Sequence, residues 1–277
     1  MTQKAMLCPR CRQLIGSEES VCSWCGAQRS SAWWRPTAWV RGGFDGAWLV
    51  KAVITVTIVI YAFSLILGMG SGNAAGLLGF LSPDQTSLLL LGASGTVPID
   101  RYHWYWTVLT ANYLHGGILH LVFNLMALRQ IAPWVTQEYG PSRMFVIYTL
   151  GGVCGYLVSY VAGVPFTIGA SGAICSLIGS LLYYGRSRGG TYGAMVFREV
   201  SGWVFGLVLF GFLMPGINNW AHGGGIIGGI VLGLLLGYEE RTEENAVHRL
   251  LALLCAGATV AMLGWRIFLL VALGIGH

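Results

Sequence analysis

Ser171 stands between two glycines in Gly169-Ala170-Ser171-Gly172, inside an otherwise apolar run from Thr167 to Gly179. A serine hydroxyl attacks a carbonyl when a base removes its proton, and the neutral imidazole of His222, in Ala221-His222-Gly223-Gly224-Gly225, is the candidate base. His120 and Asn124 are spaced i and i+4, so they share one helix face, with His115 just ahead of them. They are placed to donate hydrogen bonds to the negative oxygen that develops on an attacked carbonyl. Ser171 falls near the start of its helix, where unpaired backbone N–H groups add to the same pole. No Asp or Glu stands by to orient His222, so the pattern is acyl-transfer chemistry with a two-residue core. Each group alone has a plainer explanation: polar glue between helices, a serine in a small-residue packing face, a structural histidine. Four polar groups at one depth of one bundle are harder to explain separately.

The elements that must position them are membrane spans. The chain has 277 residues, 55% hydrophobic and only 10% charged, against about 25% charged in an ordinary soluble domain. That leaves too little polar surface to cover a water-soluble globule. The 41 glycines and 11 tryptophans agree, since glycine lets helices approach in lipid and tryptophan favours the interface. The excess of basic residues is therefore read through topology, and no nucleic-acid partner is expected. Seven apolar segments are long enough to cross a bilayer, at about 48–70, 112–132, 143–163, 170–185, 195–214, 217–237 and 250–274. The fourth is short for a span. Of the 16 Lys and Arg residues, all but Arg101 and Arg266 fall on one side if the N-terminus is cytoplasmic, which sets that orientation. Ser171, His222, His120 and Asn124 then lie in the outer halves of their helices. Nothing at the N-terminus reads as a cleaved signal peptide.

The letters Gly-Ala-Ser-Gly occur a second time, at 92–95, in the long segment 71–111 that also carries Trp104, Tyr105 and Trp106. No helix is expected to start there, and the copy around Ser94 reads as a turn. At the N-terminus, Cys8-x2-Cys11 and Cys22-x2-Cys25 make two close pairs, a spacing suited to a tetrahedral zinc site of four thiolates. A cytoplasmic position favours metal over disulfides. Cys154, Cys175 and Cys255 lie in apolar helices and read as small core residues.

The set resembles the rhomboid family of intramembrane serine proteases, over about residues 48–237. His115-x4-His120-x3-Asn124 is similar to its second-helix pattern, Gly169-Ala170-Ser171-Gly172 to its nucleophile motif, and Ala221-His222-x-Gly224-Gly225-x3-Gly229 to its sixth-helix motif. The resemblance implies an all-α membrane protein, a rhomboid-like bundle of seven transmembrane helices in the "six plus one" form, with its extra helix at the C-terminus. It implies that Ser171 is the nucleophile and His222 the base. It implies an oxyanion hole of His120, Asn124 and the Ser171 N–H, with Gly169, Gly172, His115, Gly225 and Gly229 in support. It implies transmembrane protein substrates in the lipid bilayer, cleaved near their outer ends, and no metal for catalysis. The expected location is the plasma (cell inner) membrane. Many members carry Trp-Arg ahead of the second helix; here the pair is Trp106-Thr107, with Arg101 nearby.

The expected organisation is a zinc-ribbon-like module at 1–28 with structural Zn2+ and a partner of its own, a linker at 29–47, the catalytic core at 48–237, and a loop plus extra helix at 238–277. Two other readings remain. One is an inert rhomboid-like protein that binds membrane clients. The other is a transporter with a histidine proton relay, which requires acidic partners inside the spans; none is found.

Overall fold

A computed structural model describes residues 5–7, 13–16, 19, 21, 23–24, 46–68, 81–214 and 216–274. It divides into two units, Met1–Asp45 and Gly46–His277. In the first, strands β1 (Ala5–Leu7) and β2 (Leu14–Gly16) pair antiparallel with Leu7 opposite Leu14. Cys8, Cys11, Cys22 and Cys25 lie outside the described residues.

The second unit is helical. Its elements are α1 (Gly46–Leu67), α2 (Gln85–Leu91), a π-helical turn (Val97–Arg101), α3 (Thr107–Thr110), a 3-10 turn (Ala111–Tyr113), α4 (Ile118–Tyr139), α5 (Pro141–Val161), α6 (Ser171–Arg188), α7 (Gly190–Leu213), α8 (Asn219–Leu236) and α9 (Ala246–Ala272). Local chemistry sets several boundaries. Asp84 caps α2 by accepting the Ser87 N–H. Pro141 opens α5 straight after Gly140, whose φ of +85° makes the turn. Asn245 and His248 form a reciprocal capping box on α9.

Six of these helices, α1, α4, α5, α7, α8 and α9, are long and apolar enough to cross a membrane. The seventh expected span, α6, is not among them. It has 18 residues, carries Arg186 and Arg188 in its last turn, and buries residues on every side. A helix enclosed by other helices needs no lipid-facing apolar surface, so small and polar residues such as Ser176 and Ser180 replace the usual leucines. A correction concerns the second span, which starts six residues later than expected. Gly116 and Gly117 interrupt the apolar run, and Ala111–Tyr113 closes as a 3-10 turn instead. Another concerns acid inside the spans: Glu199 lies within α7, beside Gln130 and Trp134 of α4 in a small cleft that none of the histidines lines.

The end of the bundle opposite the site is fastened by Arg143, buried in α5. Its guanidinium donates to the carbonyls of Tyr139, Gly237 (3.1 Å) and Thr242 (2.8 Å) and pairs with Glu239 at 2.5 Å. Carbonyls left open where α4 and α8 end are thereby satisfied by one charged donor. This contact fixes the joints α4–α5 and α8–α9, and with them the tilt of the helices that carry His120 and His222.

Candidate active site

Three helix beginnings meet at one end of the bundle: α4 with His120 and Asn124, α6 with Ser171, and α8 with His222. Glycine brings α6 and α8 together. A Cβ built on Gly172 would sit 3.5 Å from the Ala221 carbonyl oxygen, so the residue after Ser171 lies against the residue before His222. Gly225, Gly229 and Gly179 make still closer approaches, to the backbone oxygens of Gly172, Ser176 and Ile226. Cys175 fills the space beside Gly225, and Cys154 that beside Gly228, as core residues do.

Gly169 is the meeting point of the other groups. Its φ is +122°, a conformation open to glycine. A Cβ there would lie 2.7 Å from His120 Nε2 and 3.8 Å from Ser171 Oγ. The His120 donor and the Ser171 hydroxyl therefore flank one point in space. Ala170 gives α6 no side-chain cap, leaving its first-turn N–H groups open beside the hydroxyl. Asn124 is buried and donates one amide hydrogen to the His120 carbonyl at 2.8 Å, with its second hydrogen to spare.

Among the described residues no hydrogen bond joins Ser171 to His222, and the buried Nδ1 of His222 has no partner. No carboxylate therefore meets this nitrogen among the described residues. Catalytic hydrogen bonds are often long without substrate. His115 is fully buried ahead of α4, its ring 4.9 Å from that of His120. Burial, and then His120 beside it, push its pKa down to about 3, so it is a neutral ring at pH 7 and packs behind the site.

Ser94 is a correction. It is fully buried, and its backbone forms an antiparallel bridge with Thr167, N–H to O=C at 3.0 and 2.7 Å in the two directions. The π-helical turn starts two residues past Gly95, where no helix was expected. Gly95, at φ +131°, lets the chain press against the Pro165 carbonyl. The first Gly-Ala-Ser-Gly copy is therefore a rail for the segment leading into the second.

Two positioning residues are missed by reading the sequence. Asn218 caps α8 through Oδ1, accepting from the Ala221 N–H at 3.1 Å. Its Nδ2 donates to Ser159 Oγ of α5 at 2.5 Å and to Thr167 Oγ1 at 2.8 Å. One side chain thus ties the His222 helix to the strand entering Ser171. Tyr156 of α5 donates to the Gly169 carbonyl at 2.6 Å. The signal for Asn218 was its place as an Asn just before a helix; nothing in the sequence singles out Tyr156.

A family model described as the Rhomboid domain matches residues 102–239, the segment holding all four site residues. The chain is 34% identical over 163 residues to the rhomboid protease GluP of Bacillus subtilis, covering 57% of this chain and 31% of that protein. It is 32% identical over 134 residues to the putative rhomboid protease YdcA of the same organism, covering 47% of this chain and 67% of that one. It is also 30% identical over 201 residues to the inactive RHOMBOID-like protein 8 of Arabidopsis thaliana, covering 65% and 56%. The chain belongs to the rhomboid family. It spans about a third of the length of GluP and just over half that of the plant protein. Active and inactive relatives stand side by side, so membership alone does not fix activity.

Proposed function

We propose that this chain is an intramembrane serine endopeptidase that hydrolyses peptide bonds in or beside the transmembrane segments of other membrane proteins. Ser171 is the nucleophile and His222 the general base. His120, Asn124 and the Ser171 N–H hold the oxyanion. The observation that carries this reading is the convergence at Gly169, where His120 Nε2 and Ser171 Oγ flank one point while Gly172 brings the His222 helix alongside. His222 takes the Ser171 proton as Oγ attacks and returns it to the leaving amine; water then releases the acyl group by the same route. The distribution of Lys and Arg supports a cytoplasmic N-terminus and a site opening to the outer side of the plasma membrane.

A serine-directed fluorophosphonate tests the reading. The purified chain is expected to label at Ser171, and Ser171→Ala to lose both labelling and cleavage of a model transmembrane substrate. Cleavage undiminished in Ser171→Ala would overturn it. A client-binding protein without catalysis, the reading favoured by the inactive plant relative, predicts client capture with no labelling at all.

Zinc on Cys8, Cys11, Cys22 and Cys25 is proposed on their spacing, supported by the pairing of β1 and β2 on either side of the first cysteine pair. Metal analysis of the purified chain is expected to find zinc that is lost when Cys8 and Cys11 are both replaced by serine; equal metal in both proteins would reject the site.

A further inference from the structure

Arg266 lies in the last third of α9, a helix long and apolar enough to cross a membrane. A cation there is costly unless it is partnered. No carboxylate pairs with it among the described residues. Its partners come instead from the segment between α1 and α4. Nε donates to the carbonyl of Leu90, in the last turn of α2. The neighbouring carbonyls of Leu88 and Leu89 accept from Ala93 and Gly92 at 2.9 and 3.0 Å, so Arg266 completes the set at the negative end of that helix. The guanidinium also stands 4.7 Å from the ring centre of Trp104 and 5.5 Å from that of Trp106, within the range of cation–π attraction. Trp265 meets Trp106 edge-on at 5.8 Å.

The gripped segment leads directly to the nucleophile. Trp106 and Thr110 press against Gly92, where a Cβ would collide with both. Thr110 Oγ1 donates to the Gly92 carbonyl at 2.9 Å. The next residue, Ala111, accepts the Gly169 N–H at 2.9 Å, and Gly169 is the residue on which His120 and Ser171 converge. Arg101, the arginine close in sequence, is exposed. The arginine that meets the tryptophans comes from α9, which lies beyond the matched family segment 102–239.

The geometry points to Arg266 as a positioning residue of the site: it pins residues 90–106 to α9 and thereby fixes the Ala111 carbonyl that holds Gly169 beside Ser171. The extra helix is part of the scaffold of the site, joined to residues 90–106 through the Arg266 guanidinium and the Trp265–Trp106 contact. The consequence for catalysis rests on Ser171 being the nucleophile; the brace itself does not.

Hydrogen exchange of the purified full chain, with Arg266→Gln and Arg266→Lys, tests it. Arg266→Gln is expected to speed exchange of the Ser94, Thr167 and Gly169 amides about tenfold or more, leaving the amides within α5 and α8 unchanged. Arg266→Lys keeps the charge without the flat face or the Nε–H, and is expected to fall between. Fluorophosphonate labelling of Ser171 should slow in the same order. Unchanged exchange at Gly169 overturns the brace. Faster exchange with parental labelling overturns the positioning role. A parent that never labels sinks the hydrolase reading alone, and Gly169 exchange still decides the brace. Should Arg266→Gln speed exchange in every helix, Arg266→Lys is judged by the same criteria.

Discussion

Replacing His222 by alanine is expected to lower cleavage of a model transmembrane substrate by about 10^4-fold or more, and the Ser171→Ala, His222→Ala double variant to lose no more than either single one. The equality is the informative part. Ser171 Oγ is a weak nucleophile until its proton has somewhere to go, so removing the base disables the serine almost as fully as removing the serine itself. No third group stands behind the imidazole: Nδ1 of His222 is buried without a partner among the described residues. Nothing else therefore waits to take over part of the work. What survives in each variant is whatever His120, Asn124 and the α6 N–H groups do for bound substrate alone. Initial rates with the variants in proteoliposomes give the measurement. Losses that multiply in the double variant would mean that Ser171 and His222 act in separate steps, and the dyad would be rejected.

The spans were legible because each is a long apolar run, and the structure moves most of their ends by only a few residues. Two features were not legible. A central helix and a lipid-facing helix look alike as runs of apolar residues, so nothing in the run showed that α6 is enclosed by protein. The start of α4 was misplaced because apolar composition alone ignores Gly116 and Gly117.

The candidate site residues were picked out as a set from residue type, spacing and shared depth, and the beginnings of α4, α6 and α8 that carry them meet at one end of the bundle. Their supports were hidden for a different reason: they are contacts between distant segments. Ser94 looked idle because its partner, Thr167, lies far along the chain. Arg266 counted only as a charge near a helix end, and Arg143 only as one more basic residue in a loop. In the structure Arg143 gathers the carbonyls of Gly237 and Thr242 between α8 and α9, and Arg266 takes that of Leu90 in the last turn of α2. A cation near a span reports orientation when read in sequence and acts as a fastener once its neighbours are known.

Gly229 is where the largest effect from a residue outside the chemistry is expected. A Cβ on it would overlap the Ser176 carbonyl, and its next neighbours are the carbonyl carbon and Cα of the same residue. All three are helix backbone, which cannot rotate away as a side-chain tip can. Gly229→Val must therefore drive α6 and α8 apart, and those two helices carry Ser171 and His222. Overpacking of this kind costs about 1–3 kcal/mol or more. A displacement of about 1 Å between reacting groups is itself worth about 100-fold in rate. The expected result is a loss of cleavage beyond about 100-fold together with a lower thermal midpoint. Gly202 and Gly206 of α7 supply the control, because a Cβ at either meets nothing within 4 Å. Alanine there is expected to leave both readings unchanged or to stabilise slightly, since it restricts the unfolded chain. A Gly229→Val protein with the parental rate and midpoint would show that the close approach of α6 and α8 does not set the site, and would return those glycines to ordinary packing residues.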